Sequence, residues 1–96
     1  VDLLLRVLTN IRELTARQER SLEAARTRLW ATELSLLLPR HPLELRRERG
    51  ELLVRLGDYN GGAQELEAYA LLIEDTNGEL AEATRRHARL SRSRLN

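Results

Sequence analysis

The stretch from Arg49 to Tyr69 constrains this chain more than any other part of it. It reads Arg-Gly-Glu-Leu-Leu-Val-Arg-Leu-Gly-Asp-Tyr-Asn-Gly-Gly-Ala-Gln-Glu-Leu-Glu-Ala-Tyr. The apolar residues before Gly57 recur with helical spacing, and Gly57 suits the left-handed residue that closes a helix. Asp58 then opens the next helix. So short a connection makes the two helices antiparallel neighbours. Gly61 and Gly62 each cost about 1 kcal/mol relative to Ala inside a helix. Their presence predicts that a neighbouring helix crosses close by and needs the missing side chain.

The rest of the chain has the same period, and no segment alternates as a strand does. A first helix is expected over Asp2–Ala16, with Leu4, Val7, Leu8, Ile11 and Leu14 as its core stripe. Arg17 to Arg20 are expected to carry the turn. Ser21 is the expected N-cap of a second helix reaching about Leu38, where Pro39 stops it. Pro39-Arg40-His41-Pro42 is a rigid connector, with Pro42 at the first and Glu44 at the third position of a third helix ending at Leu56. The fourth helix, opened by Asp58, ends between Glu74 and Asn77. Thr76-Asn77-Gly78-Glu79 reads as a capping box for a fifth, whose inner face is Leu80, Thr84, His87 and Leu90 or Ser91. The expected fold is all-α: a hairpin over about 2–38, a second over about 42–74 and a capping helix over about 77–95, together one domain.

Composition removes several function classes. Cys is absent, so there is no disulfide, thiolate metal site or cysteine nucleophile, which suits a reducing cytoplasm. All 16 basic residues are Arg, so no lysine is present to act as Schiff base or general base. No run approaches a membrane span, and Asp2 and Arg6 interrupt the apolar start, which does not read as a signal peptide. The chain begins at Val1 rather than Met and is read as a piece of something longer. With a net charge of +1 there is no global field to steer nucleic acid.

At specific positions the second hairpin resembles a tetratricopeptide repeat. Gly50 holds the small site of the first helix, Leu53 stands where an aromatic is usual, and Gly57 and Tyr59 form the turn. Gly62 takes the small site normally held by Ala, Leu66 the large apolar site and Tyr69 a packing site. The Pro expected after the hairpin is replaced by Glu74, so the fourth helix is expected to run on or bend differently. Leu8, Asn10 and Ile11 with Leu34 to Pro39 make the first hairpin a degenerate repeat.

The segments Leu4-Leu5-Arg6-Val7-Leu8-Thr9-Asn10-Ile11-Arg12, Glu33 to Pro39 and Arg47-Glu48-Arg49-Gly50 are similar to the C-terminal region of SirB-type bacterial proteins. These join an N-terminal transglutaminase-like domain to a tetratricopeptide-like one. The resemblance implies an accessory helical domain. The family's Cys-His-Asp machinery belongs to the other domain, and no residue here is assigned to it.

In such repeats the first helix of each hairpin lines a concave face. That register assigns Glu44, Arg47, Glu51 and Val54 to it, joined by Arg6, Thr9 and Glu13. The lining suits a peptide of mixed charge. The plainer alternative is a solvated surface laced with pairs such as Glu44 to Arg47 and Glu51 to Arg55.

Arg85, Arg86, Arg89, Arg92 and Arg94 follow the last acidic residue, Glu82. They could touch phosphates, but no aromatic platform accompanies them, and their plainer role is to favour a helix C-terminus. Trp30 is expected to pack between hairpins, with an interface anchor as the alternative. His41 and His87 are expected in capping or packing, and neither has a partner at metal-ligand spacing. Ser35, Ser91 and Ser93 lack a nucleophile elbow, and Glu65 and Glu67 diverge on their helix.

The sequence therefore points to a non-enzymatic scaffolding module without cofactor or metal. Its expected partner is a protein or peptide, its own N-terminal domain being one candidate. A nucleic-acid module using the terminal arginines and a self-associating domain with an exposed Leu-rich end, as in a homodimer, stay open as alternatives.

Overall fold

The computed structural model describes residues 2–16 and 21–94, which form five α-helices and no strand. They are α1 (Asp2–Ala16), α2 (Leu22–Leu36), α3 (Glu44–Arg55), α4 (Tyr59–Ile73) and α5 (Gly78–Ser93). Each packs chiefly on its neighbours in sequence: α1 on α2, α2 on α3, α3 on α4 and α4 on α5. The expected turn at Arg17–Arg20 and the end of the chain at Leu95 and Asn96 lie outside the described residues.

The junction of α3 and α4 is the tightest. Gly57 adopts φ +96°, the left-handed conformation that L side chains resist. Its N–H donates to Val54 O at 3.0 Å, and the Asp58 N–H donates to Leu53 O at 2.8 Å, a Schellman closure of α3. The Asp58 carboxylate accepts from the Gly61 N–H at 2.9 Å and caps α4. Adjacent residues thus end one helix and begin the next.

The helices can approach because Gly50 on α3 faces Gly62 on α4. A Cβ on Gly62 would lie 2.7 Å from Gly50 O and against a methyl of Val54. A Cβ on Gly50 would lie 3.0 Å from Leu66 Cγ. Gly61 has a different reason to be small: a Cβ there would press on the Asp58 carboxylate that caps the helix. Only Gly62, and not the pair of glycines, answers to the crossing helix.

Around this crossing sits the core. Val54, Ala63, Leu66 and Ala88 form one buried cluster with Tyr59 packed on it. Tyr69, Ala70, Ile73 and Ala81 form a second, joined by Leu80. The buried face of α5 is Ala81, Thr84, Ala88 and Ser91. Thr84 and Ser91 lie inside as expected and Leu80 is half-buried, but His87 and Leu90 are exposed and Ala81 and Ala88 take the face, because the close approach to α4 favours small side chains.

The expected core stripe of α1 also changes. Leu8 is buried, and Leu5 and Ile11 are half-buried, but Leu4, Val7 and Leu14 are exposed. A helix packed chiefly on one partner buries a strip narrower than its apolar face.

Ser21 caps α2 as expected, accepting from the Ala24 N–H at 3.2 Å. The fifth helix is capped by Asn77, which accepts from the Leu80 N–H at 3.1 Å, rather than by a box begun at Thr76. The Thr76 hydroxyl instead donates to Ile73 O and helps close α4. The third helix begins at Glu44, two residues later than Pro42 suggested, after a tight turn in which the Leu45 N–H donates to Pro42 O. The fourth ends at Ile73, so the missing Pro does not extend it.

Candidate partner-binding groove

Helices α3 and α5 flank an open groove. One part, of about 340 Å³, is lined by Arg28, Glu48, Glu51, Leu52, Arg55 and His87. A second part, of about 180 Å³, adds Arg47, Leu80, Ala83 and Thr84, with Leu66 of α4 at its base. Glu51 and His87 border both parts and make them one continuous surface.

The α3 wall follows from helical geometry. At 3.6 residues per turn, Arg47, Glu48, Glu51 and Arg55 share one side of the helix. Arg47 pairs with Glu51 at 3.5 Å, and its guanidinium lies 5.7 Å from the centre of the Tyr69 ring, a cation–π distance. Glu51 therefore looks back to Arg47, not forward to Arg55 as the spacing also allowed. Arg55 is exposed and makes no ion pair among the described residues.

Next to the groove, one carboxylate ties three helices together. Glu48 of α3 accepts from Arg12 Nε of α1 at 2.9 Å and from Arg28 Nε of α2 at 2.5 Å, and Arg12 also donates a second N–H to the same oxygen. The Glu48 side chain is only 13% exposed. The sequence offered no signal for this cluster, since its members are 20 and 36 residues apart.

Of the residues assigned to the concave face by sequence, the structure brings Arg47 and Glu51 together in the groove. Val54 is a correction: it is buried against Gly62 and belongs to the core, and Arg55 takes its place on the groove side. Arg6 and Glu13 are exposed on α1, and Glu44 is exposed in the first turn of α3. The half-buried Thr9 donates its hydroxyl to Leu5 O at 2.8 Å. None of these four lines the α3–α5 groove. His87 is a groove residue that was expected inside α5.

The terminal arginines are largely engaged within the chain. Arg85 pairs with Glu74 and Glu82, Arg89 with Glu82, and Arg92 with Glu67. Arg94 lies 5.7 Å from the centre of the Tyr59 ring. Trp30 does not pack between hairpins: it is 55% exposed on the outer side of α2. His41 Nδ1 lies 2.8 Å from Leu38 O, a capping contact at the end of α2. Among the described residues no helix is long and apolar enough to cross a membrane.

Stacked helical hairpins, glycines at the crossing and a charged groove between alternate helices define a repeat scaffold. The family model of the tetratricopeptide repeat matches residues 11–96. The chain belongs to the tetratricopeptide repeat family. Comparison with curated proteins and with solved structures found no match.

Proposed function

We propose that this chain is a non-enzymatic protein-interaction module, acting as one domain, that holds a partner segment in the groove between α3 and α5. The observation that carries this reading is the α3 wall, where Arg47, Glu51 and Arg55 stand beside His87 above the apolar base at Leu66. Membership of a repeat family whose members mediate protein association supports it. The occupant is an extended segment of mixed charge. Its acidic residue faces Arg55, which makes no ion pair among the described residues, and its apolar side chains lie toward Leu80 and Ala83. Selection of extended peptides displayed on phage against the 96-residue chain tests this. Binders should lose about tenfold or more in affinity with Arg47→Glu, the loss expected at a central Arg, and keep it with Arg40→Glu. Unchanged affinity with Arg47→Glu would place the site elsewhere.

In its finer form, this module is the C-terminal accessory domain of a SirB-type, transglutaminase-like protein of the bacterial cytoplasm, with the companion domain as one occupant of the groove. The resemblance of Leu4–Arg12, Glu33–Pro39 and Arg47–Gly50 supports that form. The sequence encoded directly upstream of Val1 tests it. An in-frame domain with suitably placed Cys, His and Asp supports the assignment, and an unrelated domain removes it while leaving the groove reading intact.

A further inference from the structure

Helix α2 is built the opposite way from an ordinary surface helix. Its buried side is small and partly polar: Ala24, Ala25, Ala31, Thr32 and Ser35. Three of its large apolar residues face outward, Leu22, Trp30 and Leu37 at 57%, 55% and 80% exposure, while Leu29, Leu34 and Leu36 are half-buried. Successive residues step by about 100°, which places Leu22, Arg26, Leu29, Trp30, Glu33 and Leu37 within one arc of about 100° on the outer side. An open depression of about 410 Å³ runs along this side. Large apolar residues gathered on one exposed face mark an interaction surface.

We propose that this face binds the same face of a second copy of the chain, the two α2 helices running antiparallel across a two-fold axis. The identity of the occupant comes from the order of residues. Leu22 and Leu37, Arg26 and Glu33, and Leu29 and Trp30 are three pairs, each equidistant from the midpoint between Leu29 and Trp30. A two-fold axis through that midpoint sets the members of each pair opposite one another in the two copies. Leucine then meets leucine at both ends, Trp30 meets Leu29 at the centre, and Arg26 meets Glu33 twice. Self-complementarity of this kind is what an isologous interface requires. A parallel arrangement would instead oppose Arg26 to Arg26 and Glu33 to Glu33.

The charges are available for this use. Arg26 is exposed and makes no ion pair among the described residues. Glu33 has a 3.5 Å contact with Arg49, which holds Glu65 more closely at 3.2 Å. Arg28, which borders the groove, projects from the other side of α2, so the dimer leaves the groove open.

Sedimentation equilibrium of the 96-residue chain tests the proposal, with Trp30 fluorescence followed on dilution, since Trp30 is the only Trp. The expected result is a monomer–dimer equilibrium whose dissociation shifts the emission to the red. Trp30→Ala should weaken the dimer by about tenfold or more, as truncation of a central interface Trp does. Arg26→Glu and Glu33→Arg should each weaken it, and the double variant should recover most of the loss, because the swap restores opposite charges across the axis. All of these positions are exposed, and unchanged helical circular dichroism verifies the fold. A chain that stays monomeric at every concentration assigns the face to another partner and overturns the proposal. So does a dimer indifferent to Trp30→Ala, or a double variant no better than either single one.

Discussion

Gly62 stacks against Gly50 so closely that a single methyl group on Gly62 would lie 2.7 Å from the Gly50 carbonyl oxygen. The obstructing group is backbone, which cannot rotate away. Gly62→Ala should therefore destabilise the fold by about 1–3 kcal/mol, the range for overpacked sites, although Ala is the better helix former. Gly78→Ala is the control: nothing lies within 4 Å of its added Cβ and its φ is not positive, so it should stabilise by about 0.5–1 kcal/mol. Urea unfolding midpoints of the two variants should move in opposite directions.

Glu48→Gln should cost about 1.5–3 kcal/mol, the range for hydrogen bonds to charged groups, because it weakens the hold on Arg12 and Arg28 together. Glu67→Gln removes an ion pair to Arg92 whose members are 45% and 40% exposed. It should cost under about 1 kcal/mol. Chemical denaturation gives both values, and amide exchange in α1 should quicken for Glu48→Gln alone.

The Thr32 hydroxyl is fully buried and has no hydrogen-bond partner among the described residues. Thr32→Val keeps the shape and removes the unsatisfied group. It should raise stability by about 1 kcal/mol, the lower end of the cost of burying an unpaired hydroxyl. A lower unfolding midpoint would show that the hydroxyl has a partner.

Arg85, Arg89 and Arg92 are held by Glu74, Glu82 and Glu67, which lowers the charge the terminal arginines offer to phosphates and leaves Arg86 and Arg94 as the two without an ion pair among the described residues. Fluorescence anisotropy with a labelled single-stranded oligonucleotide should show no saturable binding at physiological salt. Saturable binding that falls steeply with salt would contradict this.

What the sequence revealed was mainly local. Gly57, Asp58 and Ser21 act through residues three to five positions away, so spacing alone assigned their caps correctly. The helical cost of Gly61 and Gly62 made a close neighbour legible, but not that Gly62 alone answers to it while Gly61 makes room for the Asp58 cap. Registers set by distant partners were not legible. The inner face of α5 moved from His87 to Ala88 because contact with α4, not apolar periodicity, decides which side chains fit. Trp30 was expected between hairpins, yet the packed side of α2 takes Ala, Thr and Ser and leaves Trp30 outside. In the groove, Arg47 and Glu51 followed from helix register. Arg55 and His87 required knowing which side of α3 and α5 the core had already taken.

The most direct test of the central claim is to map a selected peptide onto the isotope-labelled 96-residue chain by amide chemical shift changes. The account predicts changes clustered at Arg28, Arg47, Glu51, Arg55, Ala83, Thr84 and His87, with the outer α2 residues Arg26, Trp30 and Glu33 unaffected. Changes centred on any other face would contradict it.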